Sequence, residues 1–291
     1  MRSLFSRVRT LLVLGRVSNL PTVWSNLLAG FFLAGGTVHP RAMIPLLTAA
    51  SFLYIGGMYL NDFCDAAFDT RYCPQRPIPA RKISRTAVGV LAAIWLALGL
   101  AGLSRFSELT FGIGIGLTAT IVLYDFWHKD NPVAPLVMGL CRFLLYPLAG
   151  SIAEEGLSWN IFLWGAAVGL YVAGISYLAR GESRPGNPAR WALLLLALPI
   201  IVAGWFAIYF SLYFILSFCA LFLGWLARLL IPLWRGTNRS IGRVVSGLLA
   251  GIILADMVVL APVLLTVPAW ALIYLALFLV ALLLQRIIPA T

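Results

Sequence analysis

The amino-acid sequence predicts an all-α, polytopic membrane bundle of nine to ten transmembrane helices. Hydrophobic residues make up 62% of the 291 residues and charged residues only 11%, whereas a soluble domain has about 25% charged residues. The apolar residues also form long runs, and only helices and closed barrels satisfy their backbone hydrogen bonds in lipid. Barrel strands would alternate in polarity, and these runs do not.

Ten runs are candidates to cross a hydrocarbon core of roughly 30 Å, which takes about 20 residues in a helix. They cover residues 20–36, 43–67, 86–103, 109–127, 132–152, 159–179, 191–210, 211–233, 244–265 and 268–285. The two runs that meet near residue 210 leave nine and ten helices open. No soluble domain or long linker interrupts the runs, so residues 1–291 are expected to form one membrane-embedded domain.

The net charge of +11 follows the loops. Basic residues collect before the first run, in residues 71–85, at 129, in 180–190, in 228–243 and at 286. The opposite loops hold only Arg41 and Arg105. By the positive-inside rule the N-terminus is cytoplasmic, as a retained basic leader. Topology therefore explains the charge, and the sequence predicts an integral protein of a bacterial inner membrane or its equivalent, in contact with membrane lipid and with no nucleic-acid partner.

Three of the six aspartates fall within the segment Asn61-Asp-Phe-Cys-Asp-Ala-Ala-Phe-Asp69. At 100° per residue, Asp62, Asp65 and Asp69 lie on one helix face, within an arc of about 60°. Such closely spaced like charges repel one another unless a cation neutralises them. Oxygen-only ligands suit Mg²⁺, which proteins hold with a few carboxylates together with substrate phosphates. These three residues are therefore predicted metal ligands, and Asp62 and Asp65 are predicted catalytic residues; a solvated acidic helix end is the alternative.

Basic residues near this motif are predicted to bind an anion such as a diphosphate. The loop after the motif carries Arg76 among other arginines, although topology alone could explain several of them. Lys129, between the fourth and fifth runs, is the expected partner of a diphosphate oxygen and a third catalytic candidate. An anchor that only fixes topology is the alternative for this lysine.

Arg142 is predicted to lie about 16 Å inside the membrane, eleven residues after Asn131. An ionisable residue at such depth is a functional candidate by default. Tyr146, one helical turn later, is expected on the same face, where both residues could bind the leaving diphosphate or the acceptor. The alternative is a buried ion pair, for which Asp256 is the candidate partner.

The motif N-D-x-x-D-x-x-x-D at 61–69, followed by Arg76-Pro-Ile-Pro79, resembles the first signature of the UbiA superfamily of intramembrane prenyltransferases. The segment Arg16-Val-Ser-Asn-Leu-Pro-Thr with Asn26 is similar to the opening helix of that family. The resemblance implies a helical bundle in which Mg²⁺ binds a prenyl diphosphate and the isoprenyl group passes to an aromatic, other small or lipid acceptor. It also implies substrate-binding roles for Asn26, Asn61 and Tyr124.

The second acidic motif of that family, D-x-x-x-D after the sixth helix, is altered here. The corresponding segment reads Tyr177-Leu-Ala-Arg-Gly-Glu-Ser-Arg184, with one carboxylate, Glu182, and an added Arg180. Either one metal is lost and Arg180 contacts the diphosphate beside Glu182, or the catalytic function has drifted. The combination resembles a divergent branch of the family, the prenyltransferase-like membrane proteins of ebo-type gene clusters. A lipid- or isoprenoid-binding or transport protein that inherited the fold is the alternative function.

Overall fold

The computed structural model describes residues 2–36, 40–129, 131–180, 191–207, 212–234 and 241–290. Its regular secondary structure in these ranges is helical, and a short 3₁₀ turn at Val17–Asn19 precedes the second α-helix. The α-helices are α1 Arg2–Leu14, α2 Leu20–Leu33, α3 Pro40–Tyr72, α4 Arg85–Leu103, α5 Glu108–Trp127, α6 Ala134–Phe143, α7 Leu145–Gly150, α8 Trp159–Arg180, α9 Ala192–Phe206, α10 Leu212–Trp234, α11 Ile241–Val259, α12 Ala261–Thr266 and α13 Pro268–Gln285. The predicted all-helical class is confirmed.

Seven of these helices are long and apolar enough to cross a membrane, namely α3, α4, α5, α8, α10, α11 and α13. The α6–α7 pair and α9 are shorter apolar units. Each of the ten predicted runs coincides with helical structure, and α9 and α10 are separate helices. The chain is therefore a polytopic integral membrane protein.

Two predicted runs are each divided into two helices. The run 132–152 breaks at Leu144 and the run 244–265 breaks at Leu260. Pro147 and Pro262 follow these breaks closely, and a proline removes the N–H that would bond the carbonyl four residues earlier. The first break falls between Arg142 and Tyr146, so it shapes the part of the bundle in which both side chains lie.

The centre of the bundle is built around α11, which packs against α2, α8, α10 and α13. Every residue from 250 to 260 is buried. A helix that is enclosed all round is a core helix. Asp256 is therefore placed at the middle of the packed interior, surrounded by other helices.

The basic N-terminal segment forms the amphipathic helix α1. One face exposes large apolar side chains, from Leu4, Phe5, Val8, Leu11 and Leu12. The other side packs on the bundle, where Leu14 is fully buried and the hydroxyl of Tyr59 donates to the Leu11 carbonyl over 3.0 Å. An apolar face flanked by arginines is typical of a helix that lies in the membrane interface.

Gly30 determines how closely α2 approaches α7. A Cβ atom at this position would lie 2.6 Å from the carbonyl oxygen of Tyr146 and 2.8 Å from its Cα. These are backbone atoms, which cannot rotate away as a flexible side chain can. The close approach brings Asn26, one turn earlier on α2, against Tyr146.

We expect Gly30→Ala to lower the free energy of unfolding by about 1–3 kcal/mol, because an overpacked contact forces the backbones apart. The melting temperature in detergent, followed by tryptophan fluorescence, measures the effect. Gly112→Ala is the matched control, since a Cβ there meets nothing within 4 Å. Equal melting temperatures for the two variants would contradict this account of the α2–α7 contact.

Candidate active site

The three aspartates of the 61–69 motif are all buried near the C-terminal end of α3. Their exposed fractions are 5% for Asp62, 9% for Asp65 and 2% for Asp69. Buried carboxylates are costly unless charges or hydrogen bonds compensate them. The groups that surround this face therefore determine what it can bind.

Arg76 turns back from the loop after α3 onto the carboxylates. Its Nη1 lies 2.9 Å from Oδ2 and 3.2 Å from Oδ1 of Asp69, and 3.7 Å from Oδ1 of Asp62. The loop is held in a tight turn, in which the Arg76 amide donates to the Cys73 carbonyl over 3.0 Å. One guanidinium thus bridges the first and last carboxylates of the motif.

Asp65, the central carboxylate, is approached from the segment after α5. His128 Nε2 and Lys129 Nζ each lie 3.2 Å from Asp65 Oδ1. Both contacts are ion pairs, and this enclosed oxygen accepts no aligned hydrogen bond from the described residues. Burial lowers the pKa of His128, but the Asp65 carboxylate outweighs it and the net pKa is raised, which favours the imidazolium. The structure thus brings Lys129 and Asp65 together.

Tyr124 and Arg180 support the segment that carries Lys129. The ring of Tyr124 stacks on His128 with centroids 5.0 Å apart. Arg180, the last residue of α8, donates to the carbonyl oxygen of His128 over 2.7 Å and to that of Asn131. Both of its terminal nitrogens therefore hold backbone carbonyls. The structure places Arg180 on the segment that carries Lys129, and its direct contact with a diphosphate stays a prediction.

Asn61 connects α3 to two other segments. Its Nδ2 donates to Oδ1 of Asp125 over 3.2 Å, and its Oδ1 accepts from Arg16 Nη2 over 3.0 Å. The same Arg16 nitrogen lies 3.2 Å from Oδ1 of Asp62. Asp125 is 3% exposed, and its enclosed Oδ2 has no hydrogen-bond partner among the described residues. Asn61 thus ties the motif to a fourth carboxylate and to the start of the second helix.

Arg16 is a site residue that the sequence analysis did not select. It lies before α2 at φ 40° and ψ 45°, a left-handed conformation that costs a non-glycine residue about 1–2 kcal/mol. Its carbonyl accepts from the Tyr54 hydroxyl over 3.3 Å. The turn directs the guanidinium towards α3. The sequence feature that could have indicated Arg16 as a site residue is its position, because it is a basic residue close before the first apolar run.

This end of the bundle holds four carboxylates facing four basic side chains, from Arg16, Arg76, His128 and Lys129. Within the ranges that the structure covers, no three acidic, histidine or cysteine side chains close around one point as metal ligands. The donors nevertheless suit a hard divalent cation, because they are carboxylate oxygens. Asp65 Oδ1 and Asp125 Oδ2 also accept no hydrogen bond from the part of the chain that the structure describes. A metal at these carboxylates would have to compete with the basic side chains that now contact them.

A second polar cluster lies deeper, around the fully buried Asp256. Its carboxylate accepts four hydrogen bonds, from the Ser25 hydroxyl, Asn26 Nδ2 at 2.8 Å, the Tyr146 hydroxyl at 2.6 Å and Trp164 Nε1 at 3.2 Å. The donors come from α2, α7 and α8. One carboxylate on α11 thus ties four helices together.

Arg142 joins this cluster through Asn26. Its Nη1 donates to Asn26 Oδ1 over 3.2 Å, while Asn26 Nδ2 also donates to the Tyr146 hydroxyl over 2.8 Å. No ion pair links Arg142 to Asp256, although both are described. The alternative interpretation, a direct ion pair between these two deep charges, is therefore not what the structure shows. Tyr146 is also not a free phenol, because it donates to Asp256.

Residues 22–245 match the family model described as the UbiA prenyltransferase family. The matched range covers most of the chain and includes the acidic motif of α3. The chain belongs to the UbiA prenyltransferase family. A curated relative is the digeranylgeranylglyceryl phosphate synthase of Methanoregula boonei, 32% identical over 171 residues, which cover 56% of this chain and 54% of the relative. The chain spans about half the length of the curated relatives it matches.

Solved structures share the UbiA fold. A UbiA homolog from Aeropyrum pernix K1 superimposes with a TM-score of 0.66 at 16% identity, covering 86% of this chain and 98% of that chain. A UbiA homolog from Archaeoglobus fulgidus bound to GPP and Mg²⁺ gives 0.55 at 14% identity, covering 94% and 98%. The predicted UbiA-like fold is confirmed.

The segment of the second UbiA acidic motif follows α8. Glu182, the single carboxylate expected there, lies outside the described residues, as does Asp130 after Lys129. The expected convergence of Glu182 with the α3 carboxylates therefore stays a prediction.

Proposed function

We propose that this protein catalyses the Mg²⁺-dependent transfer of an isoprenyl group from a prenyl diphosphate to an aromatic, other small or lipid acceptor within the membrane. The observation that carries the proposal is the row of α3 carboxylates faced by basic side chains from three other segments, at one end of an apolar bundle. Membership of the UbiA family supports it. A structure of the same fold with GPP and Mg²⁺ supports the choice of ligands.

The α3 carboxylates are assigned to the metal and the surrounding bases to the diphosphate. Asp62, Asp65 and Asp69 would hold Mg²⁺, which when bound supplies Lewis-acid stabilisation of the charge that develops on the diphosphate. Arg16, Arg76 and Lys129 would exchange their carboxylate partners for phosphate oxygens, since both are anionic acceptors of charge-assisted hydrogen bonds. The carboxylate–base pairs would thus supply both the metal ligands and the groups that bind the diphosphate.

The proposed reaction is substitution at the allylic C1 carbon of the prenyl group. The C1–O bond breaks and its electron pair leaves with the diphosphate, while a nucleophilic atom of the acceptor forms a bond to C1 and releases a proton. Exclusion of water protects the developing carbocation. The enclosure of Asp65 Oδ1 and Asp125 Oδ2 shows that these two carboxylate oxygens are shielded from solvent.

The proposal also includes the membrane in which the protein lies and the branch of the UbiA family to which it belongs. The alternation of basic loops supports an N-terminus and a carboxylate end that face the cytoplasm of a bacterial inner membrane or its equivalent. The single acid at the second motif supports assignment to the divergent, ebo-type branch of the family.

A lipid- or isoprenoid-binding or transport protein with this fold is the second candidate. The observation that favours it is the pairing of every α3 motif carboxylate with a base of the chain itself. Such a site is neutral without a ligand, as a headgroup-binding site can be.

Turnover by the purified protein in lipid nanodiscs separates the two candidates. We expect geranyl or farnesyl diphosphate, Mg²⁺ and a lipid-extract acceptor pool to give diphosphate release and a prenylated product by mass spectrometry, both abolished by EDTA. Lys129→Met should lower the rate at least about tenfold through loss of one charge-assisted contact, whereas Lys82→Met, on an exposed lysine that follows the same acidic motif, should not. Tight binding of the prenyl diphosphate without release would support the second candidate.

A further inference from the structure

Arg142 carries a positive charge deep in the bundle that no carboxylate of the described residues neutralises by direct contact. Its exposed fraction is 8%, and its one hydrogen bond to a described residue goes to the neutral amide of Asn26. It takes part in none of the ion pairs of those residues. A buried charge without a partner is strongly unfavourable, and an intramembrane ionisable residue is a functional candidate.

The remaining N–H groups of Arg142 have no hydrogen-bond partner among the described residues and are not fully enclosed by protein. A guanidinium has five N–H donors, and none of its nitrogens is among the fully enclosed, unpartnered atoms of the described residues. The neighbours of Arg142 are Asn26 on α2 and the ring of Tyr54 on α3, whose centroid lies 5.9 Å from the guanidinium carbon. The outward face of α6 is marked by the exposed Leu136 and Leu140. The guanidinium of Arg142 therefore lies where α6 faces α2 and α3, on the side of α6 away from these exposed leucines.

The Asp256 cluster holds Arg142 in position without neutralising it directly. Asn26 Nδ2 donates to both Asp256 and the Tyr146 hydroxyl, so its carbonyl oxygen is turned towards Arg142. The four donors to Asp256 come from other residues. Asp256 thus orients Asn26, and Asn26 orients Arg142, whose other N–H groups stay available to a ligand.

The position of Arg142 relative to the carboxylates fits an acceptor site. Arg142 lies beside Tyr54, which precedes Asp62 by eight residues on the uninterrupted helix α3. At 1.5 Å per residue the two levels are about 12 Å apart along this helix. An acceptor anchored at the level of Arg142 can extend its nucleophilic atom towards a prenyl C1 carbon held near the α3 carboxylates.

We propose that Arg142 binds an anionic group of the prenyl acceptor, a carboxylate or a phosphate monoester. A guanidinium binds either group through two parallel hydrogen bonds. The inference rests on the proposed function and names the chemical class of its acceptor. Arg142 contacts the ligand in this account, whereas Asn26 and Asp256 are positioning residues.

Calorimetry on the protein in nanodiscs tests the inference with three probes: 4-hydroxybenzoate, phenyl phosphate and the neutral 4-hydroxybenzamide. Titrations are run with and without Mg²⁺ and the unreactive donor analogue geranyl S-thiolodiphosphate. We expect at least one anion to bind wild-type protein at least tenfold more tightly than the amide, and the stronger anion distinguishes a carboxylate from a phosphate site. The inference is overturned if neither anion binds more tightly than the amide, a result that needs no variant.

The variants locate the site. Arg142→Gln should remove the anion preference, Arg142→Lys should retain part of it, and Arg105→Gln, a matched change at an exposed arginine in the α4–α5 connection, should leave it intact. Melting temperatures show whether each variant is folded. An anion preference that survives in folded Arg142→Gln protein places the anion elsewhere and refutes the assignment.

Binding of the donor analogue is scored separately, because it reports on the proposed function. Loss of Mg²⁺-dependent donor binding, with the anion preference retained, would refute prenyl transfer and leave the Arg142 site standing. Normal donor binding without an anion preference would refute the Arg142 site alone.

Discussion

Asp65→Asn is expected to abolish Mg²⁺-dependent binding of a prenyl diphosphate, with a loss in affinity of about a hundredfold or more, equivalent to roughly 3 kcal/mol. Asp65 is the middle carboxylate of the α3 face, and its enclosed Oδ1 accepts no hydrogen bond from the described residues. The amide has the same shape but no negative charge with which to bind a cation. It would also leave His128 and Lys129 without the carboxylate that they contact at 3.2 Å. Calorimetry of geranyl S-thiolodiphosphate with and without Mg²⁺ measures the change.

Glu108→Gln is the matched control, because it makes the same acid-to-amide change at an exposed position in the first turn of α5, at the opposite end of that helix from Lys129. Its Mg²⁺-dependent affinity should equal that of the wild type. Glu182→Gln should weaken binding only partly, since Glu182 is the single acid in a segment where the family has two. If Glu182→Gln is as damaging as Asp65→Asn, both acidic segments hold metal and the altered second motif retains its function.

The fold was largely predictable because run length and polarity carry most of the information about a membrane helix. The ten runs coincide with helical segments, and the breaks at Leu144 and Leu260 lie beside Pro147 and Pro262, whose effect on a helix is local. The sequence analysis predicted one helix for each of these runs, because hydropathy does not depend on the backbone N–H that proline lacks.

The site was predictable where it depends on spacing within one helix and less so where it depends on lateral neighbours. The spacing of Asp62, Asp65 and Asp69 predicts a shared face, and all three are buried near the end of α3. The depth of Arg142 in the membrane could also be predicted from its distance along the sequence. Depth alone does not show which side chain lies between Arg142 and Asp256. Asn26 occupies that place, so the ion pair with Asp256 that was the alternative interpretation does not form. Arg16 was missed because its contact with α3 depends on a left-handed backbone turn.

Asp256→Ala is expected to destabilise the protein more than any other single substitution considered above, by about 4 kcal/mol or more. The change leaves the donors on Ser25, Asn26, Tyr146 and Trp164 without their acceptor in a fully buried site. Each buried donor left unsatisfied costs about 1–3 kcal/mol, and some recovery by rearrangement is included in the figure. The readout is the melting temperature in detergent, together with the yield of monodisperse protein.

Two further variants on α11 distinguish the loss of the hydrogen-bond acceptor at Asp256 from a simple change in side-chain packing. Met257→Leu, at the adjacent buried position, conserves volume and should cost less than about 1.5 kcal/mol. Asp256→Asn keeps the shape and one acceptor oxygen, so its melting temperature should lie between those of Asp256→Ala and the wild type. Its amide N–H groups would oppose two of the donors, which frees Asn26 to rotate away from Arg142. Folded Asp256→Asn protein should therefore bind the anionic acceptor probes more weakly, while its affinity for the prenyl diphosphate analogue stays unchanged. Equal losses in both affinities would show that Asp256 supports the bundle as a whole without orienting Arg142.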